Sequence, residues 1–121
     1  MKFDEENIIV AKSKKFALRI IKLYQYLTDT KKEYILSKQV LRSGTSIGAN
    51  VKEAVRGQSK ADFHAKMCIA LKEASETEYW LELLHESGYL ESLEKDFQSL
   101  YSDNKEIIKI LMAITKTIRN S

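Results

Sequence analysis

The sequence predicts an all-α protein that forms an antiparallel, up-down-up-down four-helix bundle. Proline is absent and only four glycines occur in 121 residues, which favours long helices. Apolar residues recur at spacings of three and four in four separate stretches. The stretches are joined by only a few residues, so neighbouring helices must run antiparallel within one domain, residues 1–121.

The first helix is expected over residues 4–28, where Ile9, Phe16, Ile20, Leu23 and Leu27 share one face. Thr30 and Glu33 have the spacing of a capping box, in which each side chain binds a backbone N–H of the other residue. The second helix is therefore expected over residues 31–56. Its buried positions are predicted to be Leu36, Val40, Ser43, Ile47, Val51 and Ala54.

Gly44 and Gly48 lie one turn apart on the second helix, where two interior glycines cost about 2 kcal/mol relative to alanine. We expect that cost to be offset by the close approach of a neighbouring backbone. A polar line runs along one edge of the same buried face: Ser43, Ser46, Asn50 and Glu53. Buried polar groups need partners, and Glu76 or Tyr79 on the facing helix are the expected ones.

The third helix is expected over residues 60–87, with Ser59 as its N-cap and Gly88 after its end. Its regular seam is Phe63, Met67, Ala70, Ala74, Thr77, Leu81 and Leu84. The fourth helix is expected over residues 90–119. Its seam is Leu93, Phe97, Leu100, Ile107, Leu111, Ile114 and Ile118. Residues 102–104 are candidates to interrupt this helix, because Ser, Asp and Asn side chains compete for backbone hydrogen bonds.

The third helix has a second apolar face that a single bundle does not bury. This face predicts a subunit interface formed by Ile69, Glu76, Tyr79, Trp80 and Leu83. The alternative is a set of scattered surface hydrophobics, which are common on monomers.

Charge is distributed unevenly along the chain. Residues 1–60 hold 13 Lys and Arg against 6 Asp and Glu, whereas residues 61–121 hold 7 against 11. Two basic stripes contribute: Lys12, Lys15, Arg19 and Lys22 on the first helix, and Lys38, Arg42, Lys52 and Arg56 on the second. If these helices are neighbours, the stripes suit the phosphates of RNA or DNA. The alternatives are a solvated lysine-rich face and electrostatic attraction between the basic and acidic halves of the chain or between subunits.

The sequence contains no complete constellation for catalysis, and we predict no enzyme activity, cofactor or metal. His64 and Cys68 lie one turn apart but lack further zinc ligands. Glu82 and His85 match the Glu-x-x-His motif of di-iron bundles, which needs two copies and two further Glu residues. Gly44-x-x-x-Gly48 lacks the Lys-Ser/Thr pair of a phosphate-binding loop.

Other features favour a cytoplasmic protein without membrane contact. The single cysteine, Cys68, excludes an intrachain disulfide. No apolar run approaches the roughly 20 residues of a membrane span. Acidic residues stand near the N-terminus, where a signal peptide would carry basic ones.

Three blocks of sequence carry a family resemblance. They are Leu41-Arg42 with SIGAN at 46–50, Glu53, Ser59 and Phe63; IALKEASETEYWLELL at 69–84; and Gly88-Tyr89-Leu90. In these blocks the chain resembles the small four-helix-bundle proteins encoded in intervening sequences of bacterial 23S ribosomal RNA genes. Members often have NIAEG at the positions of residues 50–54 and Pro at that of Gly48, which are differences in packing.

The resemblance implies a left-handed antiparallel bundle that assembles into a homopentamer. A related protein, the accessory variability protein of diversity-generating retroelements, forms such a pentamer and binds nucleic acid and a reverse transcriptase through basic surfaces. For this chain two functions remain open. One is a homo-oligomer that binds RNA or DNA through Lys12, Lys15, Arg19, Lys22, Arg42, Lys52 and Arg56. The other is a protein-interaction scaffold for a partner enzyme.

Overall fold

A computed structural model describes the backbone of residues 2–120 and the side chains of residues 7–117. It contains α1 (Lys2–Asp29), α2 (Leu36–Val55), α3 (Lys60–Glu86) and α4 (Glu94–Asn120), with a 3-10 turn at Glu91–Leu93. No strand occurs within residues 2–120. Consecutive helices pack against each other and α4 packs back against α1, so that α1 and α3 occupy diagonal corners. The predicted all-α, four-helix arrangement is confirmed.

All four helices contribute to one apolar core. Most of the predicted seam positions are buried, including Phe16, Ile47, Leu81 and Leu111. Leu36, Phe63 and Leu93 lie at the margin and are only half-buried. Ile118 lies outside the described side chains. The three-and-four spacing therefore identified the buried face of each helix correctly.

The two glycines of α2 lie against α1. A Cβ added at Gly48 would be 3.4 Å from the carbonyl oxygen of Ser13, so the backbone of α1 is the close neighbour there. A Cβ added at Gly44 would be 2.9 Å from the Cγ1 and Cγ2 atoms of Ile20, a fully buried side chain. The missing side chain at Gly44 therefore makes room for Ile20, whereas at Gly48 an added Cβ would meet α1 at an ordinary contact distance.

The predicted start of α2 at residue 31, with its Thr30–Glu33 capping box, is wrong. The Thr30 N–H donates to the Tyr26 carbonyl at 2.9 Å, and Lys32 has a positive φ of 56°, so the chain turns before α2 begins. Glu33 is itself the cap. Its carboxylate accepts hydrogen bonds from the backbone N–H groups of Ile35, Leu36 and Ser37 at 3.2, 2.9 and 2.7 Å.

The Glu33 cap is nearly buried, and this affects its ionisation. Burial raises the pKa of the carboxyl group, whereas the hydrogen bonds from Leu36, Ser37 and Ile35 lower it. The hydrogen bonds prevail, and the pKa of Glu33 lies below its ordinary value. The ionised carboxylate therefore satisfies the N–H groups that no residue of α2 can satisfy.

The ends of α3 agree with the sequence. Ser59 Oγ accepts a hydrogen bond from the Asp62 N–H at 3.0 Å, and Gly88, with φ of 90°, follows the end of α3. The predicted start of α4 at residue 90 is wrong, because a 3-10 turn at Glu91–Leu93 precedes the helix, which starts at Glu94. The predicted interruption at residues 102–104 is wrong, because α4 is continuous there. Instead of binding its own helix, the Asn104 side chain donates through Nδ2 to the Ala74 carbonyl of α3 at 2.9 Å.

Candidate nucleic-acid and subunit interfaces

Three contacts between helices lie at about the same level, half-way along the bundle. We call the residues that form them the middle layer: Ser43 and Thr77, Asn104 and Ala74, and Gly44 and Ile20. The Oγ1 atom of Thr77 lies 2.8 Å from the Oγ atom of Ser43, and both residues are fully buried. This contact corrects the expected partners of Ser43, because Thr77 takes the place predicted for Glu76 or Tyr79. The other two contacts join Asn104 to Ala74 and Gly44 to Ile20.

The middle layer divides the antiparallel helices into two ends with different charge. We call residues 7–18, 45–73 and 105–117 the basic end, which holds 11 Lys and Arg against 4 Asp and Glu, a net charge of +7. Residues 21–42 and 78–102 form the acidic end, with 6 against 8, a net charge of −2. The fold thus converts an imbalance between two halves of the chain into a polarity along the bundle.

The seven predicted nucleic-acid-binding residues do not all lie at the same end of the bundle. Lys12, Lys15, Lys52 and Arg56 lie at the basic end, whereas Lys22 lies at the acidic end. Arg42 also belongs to the acidic end, next to the middle layer, whereas Arg19 adjoins the middle layer and belongs to neither end. The structure therefore brings four of the seven residues to one end of the molecule.

The stripe on α1 borders the acidic residues of α4. Lys12 forms an ion pair with Glu106, and Arg19 Nη1 lies 2.6 Å from an Asp103 carboxylate oxygen. The hydrogen bond to Glu106 raises the pKa of Lys12 above its ordinary value. Lys15 and Lys22 are exposed and form no ion pair with the described side chains, residues 7–117.

The stripe on α2 borders α3 instead. Arg42 forms ion pairs with Glu73, at 3.3 Å, and with Glu76. Its neighbours on the stripe, Lys38, Lys52 and Arg56, are exposed and form no ion pair within residues 7–117. Although α1 and α2 are adjacent, paired members of the two stripes face α4 and α3, and they do not merge across the contact that contains Gly44 and Gly48.

A shallow groove lies at the basic end, where α2 stops and α3 starts. Its walls include Lys52 and Arg56 on one side and Asp62 on the other, with the exposed Ala49 at its margin. Lys66 lies across the groove and pairs with Glu53 at 2.9 Å. Lys52 and Arg56 form no ion pair within residues 7–117, although Glu53 and Asp62 line the same groove.

The predicted subunit interface forms the outer surface of α3. Ile69 is 41% exposed and Tyr79 is 53% exposed, whereas Trp80, Leu83 and Glu76 are half-buried. Trp80 Nε1 donates to the Glu76 carboxylate at 2.9 Å, and the Tyr79 ring meets the Trp80 ring edge-on at a centroid distance of 5.3 Å. The ion pair from Arg42 to Glu76 thus links one predicted nucleic-acid-binding residue to the predicted interface.

Asn50, which the sequence places on the polar line of α2 beside the packing glycines, binds within its own helix. Its Nδ2 group donates to the Ser46 carbonyl at 2.9 Å. Sequence reasoning also missed an exposed apolar pair on α1, Leu18 and Ile21, which are 55% and 37% exposed. The available signal was their spacing of three residues on the side of α1 that faces away from its seam.

Comparison with known proteins decides the family. The family model of the 23S rRNA-intervening sequence protein matches residues 5–113. The chain belongs to this family. No match was found among curated proteins.

A solved structure agrees with the family assignment. The chain is similar to a protein from Bacteroides thetaiotaomicron whose crystal structure is described as that of a protein of unknown function from the S23 ribosomal protein family. The two share 51% identity with a TM-score of 0.88, and the match covers 93% of this chain and 98% of the other. The resemblance drawn from the three sequence blocks is therefore confirmed.

Each of the two histidines lies beside another titratable side chain. Cys68 Sγ lies 3.6 Å from His64 Nε2, and His85 Nε2 lies 2.7 Å from a Glu94 carboxylate oxygen. Hydrogen bonds from Gln98 and His85 lower the pKa of Glu94. Within the part of the chain that the structure describes, no three His, Cys, Asp or Glu side chains form a group that could hold a metal ion.

The side chain of Glu82, the first residue of the Glu-x-x-His motif, contacts α4. Its carboxylate accepts a hydrogen bond from the Tyr101 hydroxyl, which raises the pKa of Tyr101 to about 12. Lys105 Nζ lies 4.9 Å from the centre of the same ring.

Among the described residues, no helix is both long enough and apolar enough to cross a membrane.

Proposed function

We propose that this protein is a non-enzymatic homo-oligomer that binds the phosphate backbone of RNA or DNA through its basic end. The net charge of +7 collected there by the fold is the observation that carries the proposal. Lys52 and Arg56 are its central contacts, because they are exposed beside the groove and form no ion pair within residues 7–117. Lys12 and Lys15 extend the same basic end along α1.

The side chains suggest how binding proceeds. Lysine contacts phosphate as a mobile point charge, whereas arginine donates two parallel hydrogen bonds to phosphate oxygens. Neither contact reads a base, so binding is expected to depend little on sequence. Each phosphate that is neutralised releases counterions, and affinity for duplex DNA falls with a log–log slope of about −0.9 per phosphate as salt rises.

Self-assembly would strengthen a weak contact of this kind. The exposed Ile69 and Tyr79 on α3 support a subunit interface, and the family resemblance implies a pentamer. In a ring related by rotation alone, every copy presents the same end to the same side. Repeated basic ends would then bind one polyanion with higher avidity than a single copy.

Fluorescence anisotropy with a structured RNA and a DNA duplex tests nucleic-acid binding. We expect binding at 50 mM salt that weakens steeply by 200 mM, as counterion release requires. Lys52→Glu combined with Arg56→Glu should weaken binding by about tenfold or more, since two phosphate contacts become repulsive. Lys38→Glu combined with Lys95→Glu makes the same charge change at the acidic end and should have a smaller effect. No binding by the unaltered protein at 50 mM salt would refute nucleic-acid binding.

A second function is supported by the α3 surface itself. The exposed Tyr79 beside Trp80 is the kind of aromatic surface that binds another protein. A scaffold for a partner enzyme would use this surface without nucleic acid. Co-purification of one stoichiometric partner that survives nuclease treatment and high salt would favour this function over the first.

A further inference from the structure

One corner of the basic end is formed by α2. We define the α2 face as Lys52 and Arg56, which lie one turn apart and are both exposed. Neither forms an ion pair with a described side chain. Glu53 and Asp62 line the same groove, but Lys66 pairs with the Glu53 carboxylate at 2.9 Å. Positive charge is therefore in excess on this face.

A second group of cations lies on α4. We define the α4 face as Lys109 and Lys116, which lie two turns apart on the side of the helix opposite its seam. Both are exposed and form no ion pair with a described side chain. Glu106 is the last acidic residue of α4 and is paired with Lys12. The acidic residues 4–6 of α1 lie outside the described side chains.

The two faces lie at opposite corners of the bundle. Helix α2 packs against α1 and α3, and α4 packs against the same two helices from the other side. Axes of packed helices lie about 8–10 Å apart, so those of α2 and α4 are about 11–14 Å apart. Each helix is about 10–12 Å wide with its side chains, which separates the outer surfaces of α2 and α4 by about 20–25 Å. The body of the bundle therefore stands between the two faces.

The two faces also lie at matching levels along the bundle. Gly48 lies against Ser13, and Lys12 pairs with Glu106, so Gly48 and Glu106 are close to one level. From there α2 and α4 run in the same direction, because both are antiparallel to α1. At 1.5 Å per residue, the α2 face lies about 6–12 Å beyond this level and the α4 face about 4.5–15 Å beyond it. Both pairs of cations therefore occupy the same section of the basic end.

A straight duplex can use only one of these faces at a time. Its phosphates lie along one rod, and a rod that contacts the α2 face has the whole bundle between it and the α4 face. The lysines of α4 then remain free to contact the phosphates of a second segment. The subunit interface predicted on α3 includes no residue of either face, so the proposed self-assembly leaves both faces accessible.

We propose that the basic end bridges two segments of nucleic acid, one bound by the α2 face and the other by the α4 face. This inference rests on the proposed nucleic-acid binding and goes beyond it, because a single chain holds two duplexes, or two helical arms of one folded RNA, on opposite sides of the bundle. Both contacts are to phosphates, so bridging is expected to depend little on sequence.

Capture of one duplex by another tests bridging. A short biotinylated DNA duplex is held on beads, and a fluorescent duplex of unrelated sequence is added with the protein at 50 mM salt. Lys109→Glu combined with Lys116→Glu reverses the charge of the α4 face. Lys38→Glu combined with Lys95→Glu makes the same charge change at the acidic end and is the control. Fluorescence anisotropy measures the affinity for a single duplex, and circular dichroism verifies that each variant remains helical.

We expect the unaltered protein and the control to capture the fluorescent duplex. The α4 variant should capture about tenfold less, because two phosphate contacts become repulsive, yet it should keep most of its affinity for a single duplex through the α2 face. Undiminished capture by the α4 variant, as when α2 faces of different copies in an oligomer do the bridging, would overturn the inference while nucleic-acid binding stands. Equal losses of capture and of single-duplex affinity would also overturn it. An unaltered protein that binds no duplex would refute the proposed function as well.

Discussion

A Cβ atom at position 44 would lie 2.9 Å from both Cγ atoms of Ile20, which is fully buried on α1. Ile20 is branched at Cβ, so it has little freedom to rotate away. At Gly48 the nearest atom to an added Cβ is the Ser13 carbonyl oxygen at 3.4 Å, an ordinary contact distance. The two glycines therefore differ: α1 requires Gly44, whereas an alanine fits at position 48.

Substitution by alanine should have opposite effects on stability at these two glycines. Gly48→Ala should raise the free energy of unfolding by about 0.5–1 kcal/mol, because alanine is the better helix former. Gly44→Ala should lower it by about 1–2 kcal/mol, since overpacking against Ile20 exceeds the same gain in propensity. Urea unfolding followed by circular dichroism measures both values. Equal effects of the two substitutions would contradict the distinct packing at Ile20.

The Glu33 cap makes stability depend on pH. Its pKa is lower in the folded protein than the ordinary value of 4.5, so its contribution is present above pH 4.5 and is lost as pH falls through the folded pKa. Glu33→Gln should lower the free energy of unfolding by about 2 kcal/mol at pH 7, since three N–H groups lose a charged acceptor.

Unfolding measurements between pH 7 and pH 3 test this prediction. The difference in stability between the Glu33→Gln variant and the unaltered protein should shrink in the acid range. Glu91→Gln is a suitable control, because Glu91 is exposed in the 3-10 turn. A difference that stays constant down to pH 3 would show that the carboxylate charge at position 33 is unimportant.

Local sequence patterns were sufficient to predict the four helices and their buried faces. They were insufficient where the backbone conformation of a turn or a contact between helices determines where a helix starts or whether it continues. Thr30 and Glu33 have capping-box spacing, yet the positive φ at Lys32 places both before α2. Asn104 has a low helix propensity, but its bond to Ala74 keeps it within α4. Likewise, the basic end exists only after antiparallel pairing brings Lys12, Lys52 and Lys116 to the same end, which no local pattern shows.

Asn104 is a buried polar side chain with an incomplete set of partners. Its Nδ2 group binds Ala74, but its Oδ1 atom has no hydrogen-bond partner among the described residues. Asn104→Leu should therefore leave the free energy of unfolding unchanged or raise it by about 1 kcal/mol, because an unsatisfied acceptor is removed. Asn104→Asp should lower it by several kcal/mol, at about the cost of an unpaired buried charge.

Thermal and urea unfolding of both Asn104 variants provide the test. Leucine has the branching of asparagine but a larger volume, so preserved cooperative unfolding is the check that the helices accommodate it. Strong destabilisation by leucine would indicate that the hydrogen bond to Ala74 stabilises the middle layer more than the unsatisfied oxygen destabilises it.

Carboxylates of α4 pair with Lys12 and Arg19, and under the proposed function they would compete with phosphates for these two cations. Glu106 pairs with Lys12, and Asp103 lies 2.6 Å from Arg19 Nη1. Neutralising both, with Asp103→Asn and Glu106→Gln, should free two cations for nucleic acid. Affinity should rise at 50 mM salt, and the log–log salt slope for duplex DNA should steepen by about 2, or about 0.9 per added phosphate contact. Glu91→Gln with Asp96→Asn makes the same charge change at the acidic end and should leave the slope unaltered, whereas an equal gain in both double variants would attribute the effect to net charge alone.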